Sequence, residues 1–193
     1  MKIKSSNNLN TTKFLNFKET IYEDELGNEK KWIWCQRPND TKAVVIAAVV
    51  DKGFVSSSVG GYERDLRLVV TKEFRIPIND YEYGFPAGLV DSNESPVEAA
   101  KRELKEESNL DVKRVIRYTP YIYNTTGLTD ESISMVYLEC EGQISKDGNE
   151  ASEDIETYLM DRFEVRNLIE DPNKKFGAKA YMIMDYFVRN NDI

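Results

Sequence analysis

Histidine is absent from this chain of 193 residues, and cysteine occurs only twice. The lack of imidazole excludes Ser-His-Asp and Cys-His catalysis, as well as zinc sites with histidine ligands. Cys35 and Cys140 lie far apart and lack the paired spacing of metal-binding cysteines, so we expect two reduced, buried thiols. These absences remove the common imidazole-based mechanisms.

Long apolar runs are also missing, and positive charge is in deficit. No stretch reaches the roughly 18 apolar residues of a membrane-spanning helix, and the first residues contain no apolar secretory segment. We therefore expect a cytoplasmic protein. With 26 basic and 34 acidic residues, the net charge is −8, which argues against nucleic acid or an anionic membrane as the main partner.

The apolar pattern predicts an α/β fold built on a mixed sheet. Residues 14–36 contain two extended runs around a turn-rich cluster, which predicts a β-hairpin. Residues 41–50 form a nearly continuous apolar run, typical of a buried central strand. Residues 1–13 are polar and are expected to form a loose end.

One helix has a well-marked beginning within residues 88–110. Ser95 can serve as the N-cap, Pro96 takes the first helical position, and Glu98 completes a capping box. Apolar residues recur along the next turns at helical spacing, so one face should pack on the core. The helix is expected to end near Ser108.

A second face of this helix carries acid. Glu103, Glu106 and Glu107 are three or four residues apart, so their carboxylates converge. Such a cluster suits a hard cation that prefers oxygen ligands, such as Mg²⁺ or Mn²⁺. Arg102 precedes Glu106 by one turn and can orient its carboxylate. The alternative, from these residues alone, is a solvated face with weak ion pairs.

The residues before the helix favour the functional interpretation. The spacing G-x5-E-x7-R-E-U-x-E-E-x-G-U, where U is a bulky apolar residue, defines the Nudix box, and this chain resembles the Nudix hydrolase family. Eight of the nine fixed positions match: Gly88, Glu94, Arg102, Glu103, Leu104, Glu106, Glu107 and Leu110. Asn109 stands where the family has glycine, and asparagine is the next best residue for a left-handed helix end.

The resemblance extends to the ADP-ribose pyrophosphatase branch of that family. Residues 74–77 (FRIP) and 84–91 (GFPAGLVD), together with the N-terminal hairpin, are similar to that branch. It implies a Nudix fold, an α/β/α sandwich, with a hairpin extension over residues 1–40 and the hydrolase domain over 41–193. It also implies a homodimer that uses Mg²⁺ or Mn²⁺ to split ADP-ribose, or another nucleotide sugar, at its pyrophosphate. A Nudix-fold sensor that binds a nucleotide without turnover is the alternative.

The resemblance assigns the metal and catalytic groups residue by residue. Glu103, Glu107 and the carbonyl of Ala87 would bind metal, and Glu106 would bind it directly or through water. Arg102 would orient the cluster. A carboxylate from the late acidic loop would orient the attacking water. Glu153 is the best match for that role, with Glu150 and Glu156 as alternatives.

Four further residues are implied in substrate binding. Arg75 would meet the phosphates, Trp32 would stack on the base, Arg37 would line the same pocket and Leu89 would pack beside the ligand. The branch usually has a proline in the loop at residues 125–127 and a glutamate at the position of Gly84. Both are missing here, so the base and the sugar of the substrate stay open.

Overall fold

The structure is a computed structural model that describes residues 1–56, 60–145 and 154–193. In chain order the strands and helices are β1 (Lys2–Thr11), β2 (Asn16–Glu23), β3 (Glu29–Gln36), β4 (Ala43–Ser56), β5 (Tyr62–Arg75), β6 (Asp80–Gly84), β7 (Ala87–Leu89), α1 (Pro96–Ser108), β8 (Asp111–Tyr118), β9 (Ile122–Tyr123), β10 (Ser132–Glu141), β11 (Ile155–Met160), α2 (Arg162–Glu170), β12 (Lys175–Phe176) and α3 (Ala178–Asn190). No helix among the described residues is long and apolar enough to cross a membrane.

The chain divides into two compact units. The first contains residues 1–43 and 120–134, and the second contains residues 44–119 and 135–193. No sequence pattern predicted that residues 120–134 belong to the first unit, because residues 44–119 separate them from the rest of that unit. The predicted domains, a hairpin extension over residues 1–40 and a hydrolase domain over residues 41–193, stay a prediction.

The first unit contains an antiparallel three-stranded sheet in the order β1-β2-β3. The expected hairpin is present as β2 and β3, where Asn16 pairs with Gln36 and Glu23 with Glu29. The expectation of a loose N-terminal end was wrong, because β1 pairs along β2 from Lys2 to Thr11. Polar residues conceal such a strand from sequence patterns, since backbone hydrogen bonds rather than buried side chains hold it.

A larger mixed sheet has the strand order β12-β6-β5-β4-β10-β8, with β11 on β5, β7 on β4 and β9 on β10. The apolar run at residues 41–50 forms most of β4, and Val44, Ile46 and Ala48 are fully buried. These side chains pack with Leu104 of α1 and with Leu138 of β10 in one core cluster. The central-strand prediction is therefore confirmed.

Helix α1 begins and ends as the sequence predicted. The Ser95 hydroxyl accepts a hydrogen bond from the Glu98 backbone N–H, and the Glu98 carboxylate accepts one from the Ser95 N–H. At the other end Asn109 adopts a left-handed conformation with φ of 61°, and its N–H donates to the carbonyl of Lys105. Asparagine therefore ends this helix as glycine would.

The helices cover both faces of the larger sheet. On one face the Thr157 hydroxyl of β11 donates to the Glu107 carbonyl of α1. Tyr83 points to the opposite face, because it pairs with Lys72 while Gly84 pairs with Thr71, the partner of Thr157. The ring of Phe176 lies between Tyr83 and Tyr181 of α3. Helices on both faces of a mixed sheet make the expected sandwich.

Candidate active site

The guanidinium group of Arg102 is the centre of the acidic cluster on α1. Its Nε and Nη2 donate to the two carboxylate oxygens of Glu94 at 3.1 and 3.0 Å. Its Nη1 donates to Glu103 at 2.8 Å and to Glu106 at 3.2 Å, and Nη2 also donates to the Leu89 carbonyl at 3.0 Å. One planar cation therefore connects the loop before the helix with two of the box carboxylates.

Glu103 lies directly against the backbone of Gly88. A Cβ atom added to Gly88 would coincide with the Glu103 carboxylate, so only glycine leaves room for that side chain. The side chain of Glu103 is 14% exposed, so it keeps some access to solvent. The close approach explains why a glycine precedes this helix at this spacing.

Glu107 is the most enclosed of the box carboxylates, with 7% exposure. Its Oε1 lies 3.4 Å from the backbone nitrogen of Ala87, which donates a long hydrogen bond. The Glu106 side chain, in contrast, is half-exposed. The loop at Ala87 and Gly88 thus borders the buried carboxylate of Glu107 and the partly buried carboxylate of Glu103, and Glu106 lies at the solvent edge.

The electrostatics of the cluster follow from these bonds. The hydrogen bond from Arg102 lowers the pKa of Glu94 below its ordinary value. The same bond to Glu94 is the largest cause that raises the pKa of Arg102. Both groups are therefore charged across the physiological range, and the pair acts as a fixed anchor for the loop.

The donor atoms available here are carboxylate and carbonyl oxygens, which fit Mg²⁺ or Mn²⁺. Among the described residues, no group of three or more acidic, cysteine or histidine side chains is arranged to hold a metal ion. In the present arrangement Arg102 contacts both Glu103 and Glu106. The metal-ligand assignments to Glu103, Glu106, Glu107 and the Ala87 carbonyl stay predictions.

Arg75 ends strand β5 with its guanidinium group held by two carboxylates. Its Nη1 donates to Glu73 at 2.7 Å and its Nε donates to Glu82 at 3.1 Å. The side chain is 45% exposed. Arg75 is thus fixed in place yet accessible, as a phosphate-binding residue needs to be, and that role stays a prediction.

Trp32 and Arg37 belong to the first unit. The Trp32 indole donates to the Gly127 carbonyl at 3.1 Å, and the side chain is half-exposed. Arg37 Nε donates to Glu131 at 3.0 Å. A cavity of about 600 Å³ in this unit is lined by aromatic rings that include Trp32, Trp34, Tyr22 and Tyr123. Arg37 does not line this cavity.

Of the three acids considered for orienting water, Glu150 and Glu153 lie outside the described residues. Glu156 contacts the hydroxyl of Tyr158 and lies 3.9 Å from Lys72. Its neighbour Thr157 points to α1, and successive strand residues alternate between faces, so Glu156 faces away from the box helix. This argues against Glu156, and the water-orienting role of Glu153, with Glu150 as the alternative, stays a prediction.

Sequence reasoning missed two contacts that shape the site. Thr157 holds the end of α1 from 50 positions away, and Glu82 fixes Arg75 from the next strand. Neither contact can be read from neighbouring residues in the sequence, since each depends on the register between strands.

A sequence profile described as the NUDIX domain matches residues 57–182. An uncharacterized Nudix hydrolase from Schizosaccharomyces pombe is 30% identical over 129 residues, which cover 67% of this chain and 60% of that protein. The ADP-ribose pyrophosphatase of Saccharomyces cerevisiae is 25% identical over 174 residues, covering 89% of this chain and 72% of that protein. The chain thus spans about three fifths of the first of these relatives.

The fold has a close counterpart among solved structures. The crystal structure of an ADP compounds hydrolase superposes with a TM-score of 0.71 at 19% identity, covering 98% of this chain and 95% of that one. At this identity the match establishes the architecture, and it agrees with the sandwich described above.

Proposed function

Because this chain belongs to the Nudix hydrolase family, we propose that it hydrolyses the pyrophosphate bond of a nucleoside diphosphate-linked substrate. ADP-ribose is the first candidate, with AMP and ribose 5-phosphate as products. The name of the yeast relative, ADP-ribose pyrophosphatase, supports this choice. The single observation that carries the proposal is the close contact between the Glu103 carboxylate and the Gly88 backbone, one turn of helix before the buried Glu107.

The residues of this site suit pyrophosphate chemistry. Bound divalent ions would neutralise the substrate charge and make water a better nucleophile. Glu103, Glu107, Glu106 and the Ala87 carbonyl supply hard oxygen ligands for such ions. Arg102 fixes the orientation of Glu103 and Glu106 through the bonds to its Nη1.

In the proposed reaction, the oxygen of water attacks one phosphorus and the bridging P–O bond breaks. The water proton passes to a carboxylate, for which Glu153 is the candidate, and the departing phosphate leaves as an anion. No covalent intermediate forms on the chain. Arg75 would hold a phosphate oxygen through its exposed guanidinium.

The aromatic cavity of the first unit supports a place for the base. Trp32 offers one half-exposed ring face, and its nitrogen is fixed by the Gly127 carbonyl. A planar base gains from stacking on such a ring. We propose base stacking on Trp32, substrate-binding roles for Arg37 and Leu89, and a cytoplasmic homodimer as the working form. Light scattering that gives a monomer mass at micromolar concentration would contradict the homodimer.

The test is product release from a nucleotide-sugar panel with Mg²⁺ or Mn²⁺, measured by chromatography of the nucleotide products. We expect ADP-ribose to give AMP. Glu107→Gln should lower the rate of product release by more than about 10–100-fold, the range typical when a residue that only supports a metal ligand is changed. Glu170→Gln is the matched control, because Glu170 lies exposed at the end of α2. Titration with Mn²⁺ alone should show weaker binding by Glu107→Gln.

Two outcomes would change the conclusion. If another nucleotide sugar is cleaved faster than ADP-ribose, the proposed pyrophosphate hydrolysis stands and the choice of substrate is wrong. If the protein binds a nucleotide but cleaves none of the panel, the proposed hydrolysis is wrong and the protein is a nucleotide sensor.

A further inference from the structure

A second cavity lies at the β12 edge of the larger sheet, in the second unit. Its volume is about 300 Å³, at the lower end of the roughly 300–1,000 Å³ of small-molecule sites. It is lined by Arg75, Pro77, Ile78, Glu82, Lys175 and Phe176. We call these six residues the β12 pocket. Two cations, one carboxylate and an apolar wall meet there.

Strand register explains how these charges come together. Glu73 of β5 lies opposite Glu82 of β6, and Glu82 lies opposite Lys175 of β12. Side chains of directly paired residues share a face, so the three form one row across the sheet. Arg75 lies two residues beyond Glu73 on the same face and bonds to both glutamates.

Both cations retain the capacity to bind an anion. Arg75 uses Nε and Nη1 for its two glutamates, and its Nη2 has no hydrogen-bond partner among the described residues. Lys175 is half-exposed and pairs with Asp80 at 2.8 Å. An exposed pair of this kind contributes little stability, so an anionic phosphate group can take the ammonium group from Asp80.

The pocket lies on the same face of the larger sheet as the box helix. Thr157, Thr71 and Gly84 form the neighbouring row, and the Thr157 hydroxyl bonds to the backbone carbonyl of Glu107 on the box helix. The row of Glu73, Glu82 and Lys175 lies two residues further along the strands, and its side chains point to the same face as that of Thr157. The β12 pocket and the box helix therefore share one face of the sheet.

The Glu82 carboxylate is directed by a glycine. A Cβ atom on Gly177 would lie 2.7 Å from Glu82 Oε1, so the carboxylate rests against the bare backbone that precedes α3. Its Oε2 is occupied by Arg75. A carboxylate held in this way can accept hydrogen bonds from hydroxyl groups with no cost of reorientation.

We propose that the β12 pocket binds the sugar-phosphate half of the substrate. Arg75 and Lys175 contact its phosphate, Glu82 accepts hydrogen bonds from its sugar hydroxyls, and the small volume excludes a second nucleoside. This assignment rests on the proposed hydrolysis of a nucleoside diphosphate sugar. It makes Lys175 and Glu82 the specificity residues for the second half of the substrate.

The test compares ADP-ribose with diadenosine diphosphate, which carries a nucleoside in place of the bare sugar. For Lys175→Gln we expect KM for ADP-ribose to rise about tenfold with little change in kcat, since binding energy is lost equally in the ground and transition states. Lys174→Gln is the matched control. It removes the same charge from the preceding residue, whose ammonium lies over the Tyr83 ring and 4.0 Å from Asp171.

A second pair of variants tests the carboxylate. Gly177→Ala pushes the flexible end of Glu82 aside with little effect on the fold, and Glu82→Gln keeps the shape without the charge. Both should lower the preference for ADP-ribose over diadenosine diphosphate. Thermal unfolding of Gly177→Ala close to that of wild type would show that the fold is intact.

The outcomes separate this proposal from the proposed function. If wild type cleaves ADP-ribose while Lys175→Gln behaves as Lys174→Gln does, the pocket assignment is overturned and hydrolysis stands. If wild type cleaves nothing, hydrolysis fails, and titration calorimetry with ribose 5-phosphate decides on the pocket. Binding by wild type that Lys175→Gln weakens about tenfold would support the pocket, and no binding by wild type would overturn it.

Discussion

Arg102 and Glu94 form a two-pronged ion pair, with Nε to Oε1 at 3.1 Å and Nη2 to Oε2 at 3.0 Å. The pair joins the loop before α1 to the helix itself. Because the Nη1 of the same guanidinium contacts Glu103, the loop and the acid cluster are fixed by one side chain. The geometry of the acid cluster therefore depends on the shape of this cation as well as on its charge.

Arg102→Lys keeps the charge and loses the planar fork. We expect kcat/KM for ADP-ribose to fall about 10–100-fold, the range seen when partners of metal ligands are changed. Steady-state kinetics with Mg²⁺ provide the measurement. Arg189→Lys is the control, since Arg189 pairs with Asp185 on the exposed side of α3. Equal effects of the two substitutions would contradict the orienting role of Arg102.

Gly88→Ala places a methyl group where the Glu103 carboxylate lies. We expect activity to fall at least about tenfold, because the Glu103 carboxylate must leave its position against Gly88. Gly84→Ala is the control, since its Cβ would meet Thr71 only at an ordinary 3.8 Å. Circular dichroism should find both variants folded. Full activity of Gly88→Ala would show that the position of Glu103 does not matter.

Asn109 ends helix α1 with φ of 61°, a conformation that strains residues with an ordinary side chain. Asn109→Ala should lower the free energy of unfolding by about 1–2 kcal/mol, whereas Asn109→Gly should leave it unchanged or raise it. Urea unfolding monitored by circular dichroism measures both. A stability order with alanine above glycine would contradict the left-handed helix end.

Glu139 provides a pH-dependent contribution to stability. Hydrogen bonds from Arg114 and Lys113 lower its pKa below the ordinary 4.5. The native state therefore favours the charged form, and the stabilisation is complete above the ordinary carboxyl pKa. It is lost as the pH falls from about 4.5 through the lower native pKa.

Glu139→Gln should remove this part of the acid dependence. We expect a lower urea midpoint than wild type at pH 7 and a smaller difference near pH 3, because the carboxyl group of the unfolded chain, with its ordinary pKa of 4.5, is protonated there. Glu170→Gln is again the exposed control. A difference that stays constant between pH 7 and pH 3 would refute the linkage.

Local features of the sequence determined the box helix. Ser95 and Glu98 cap its beginning through contacts three residues apart, and Asn109 ends it through its own backbone conformation. The apolar run of β4 likewise determined a buried strand, because burial on both faces requires apolar residues throughout. The family resemblance and the chemical character of the site followed from the same stretch, through the spacing of Glu103, Glu106 and Glu107 on one helix.

Only the tertiary structure decided which distant groups meet. No sequence pattern predicts that Thr157 bonds to Glu107, that Lys175 pairs with Glu82, or that Gly177 lies against the Glu82 carboxylate. These contacts depend on the register between strands, which is set by the packing of whole faces rather than by neighbours in the chain. Strand β1 could not be predicted from the sequence either, because it is polar and its place is fixed by backbone hydrogen bonds to β2.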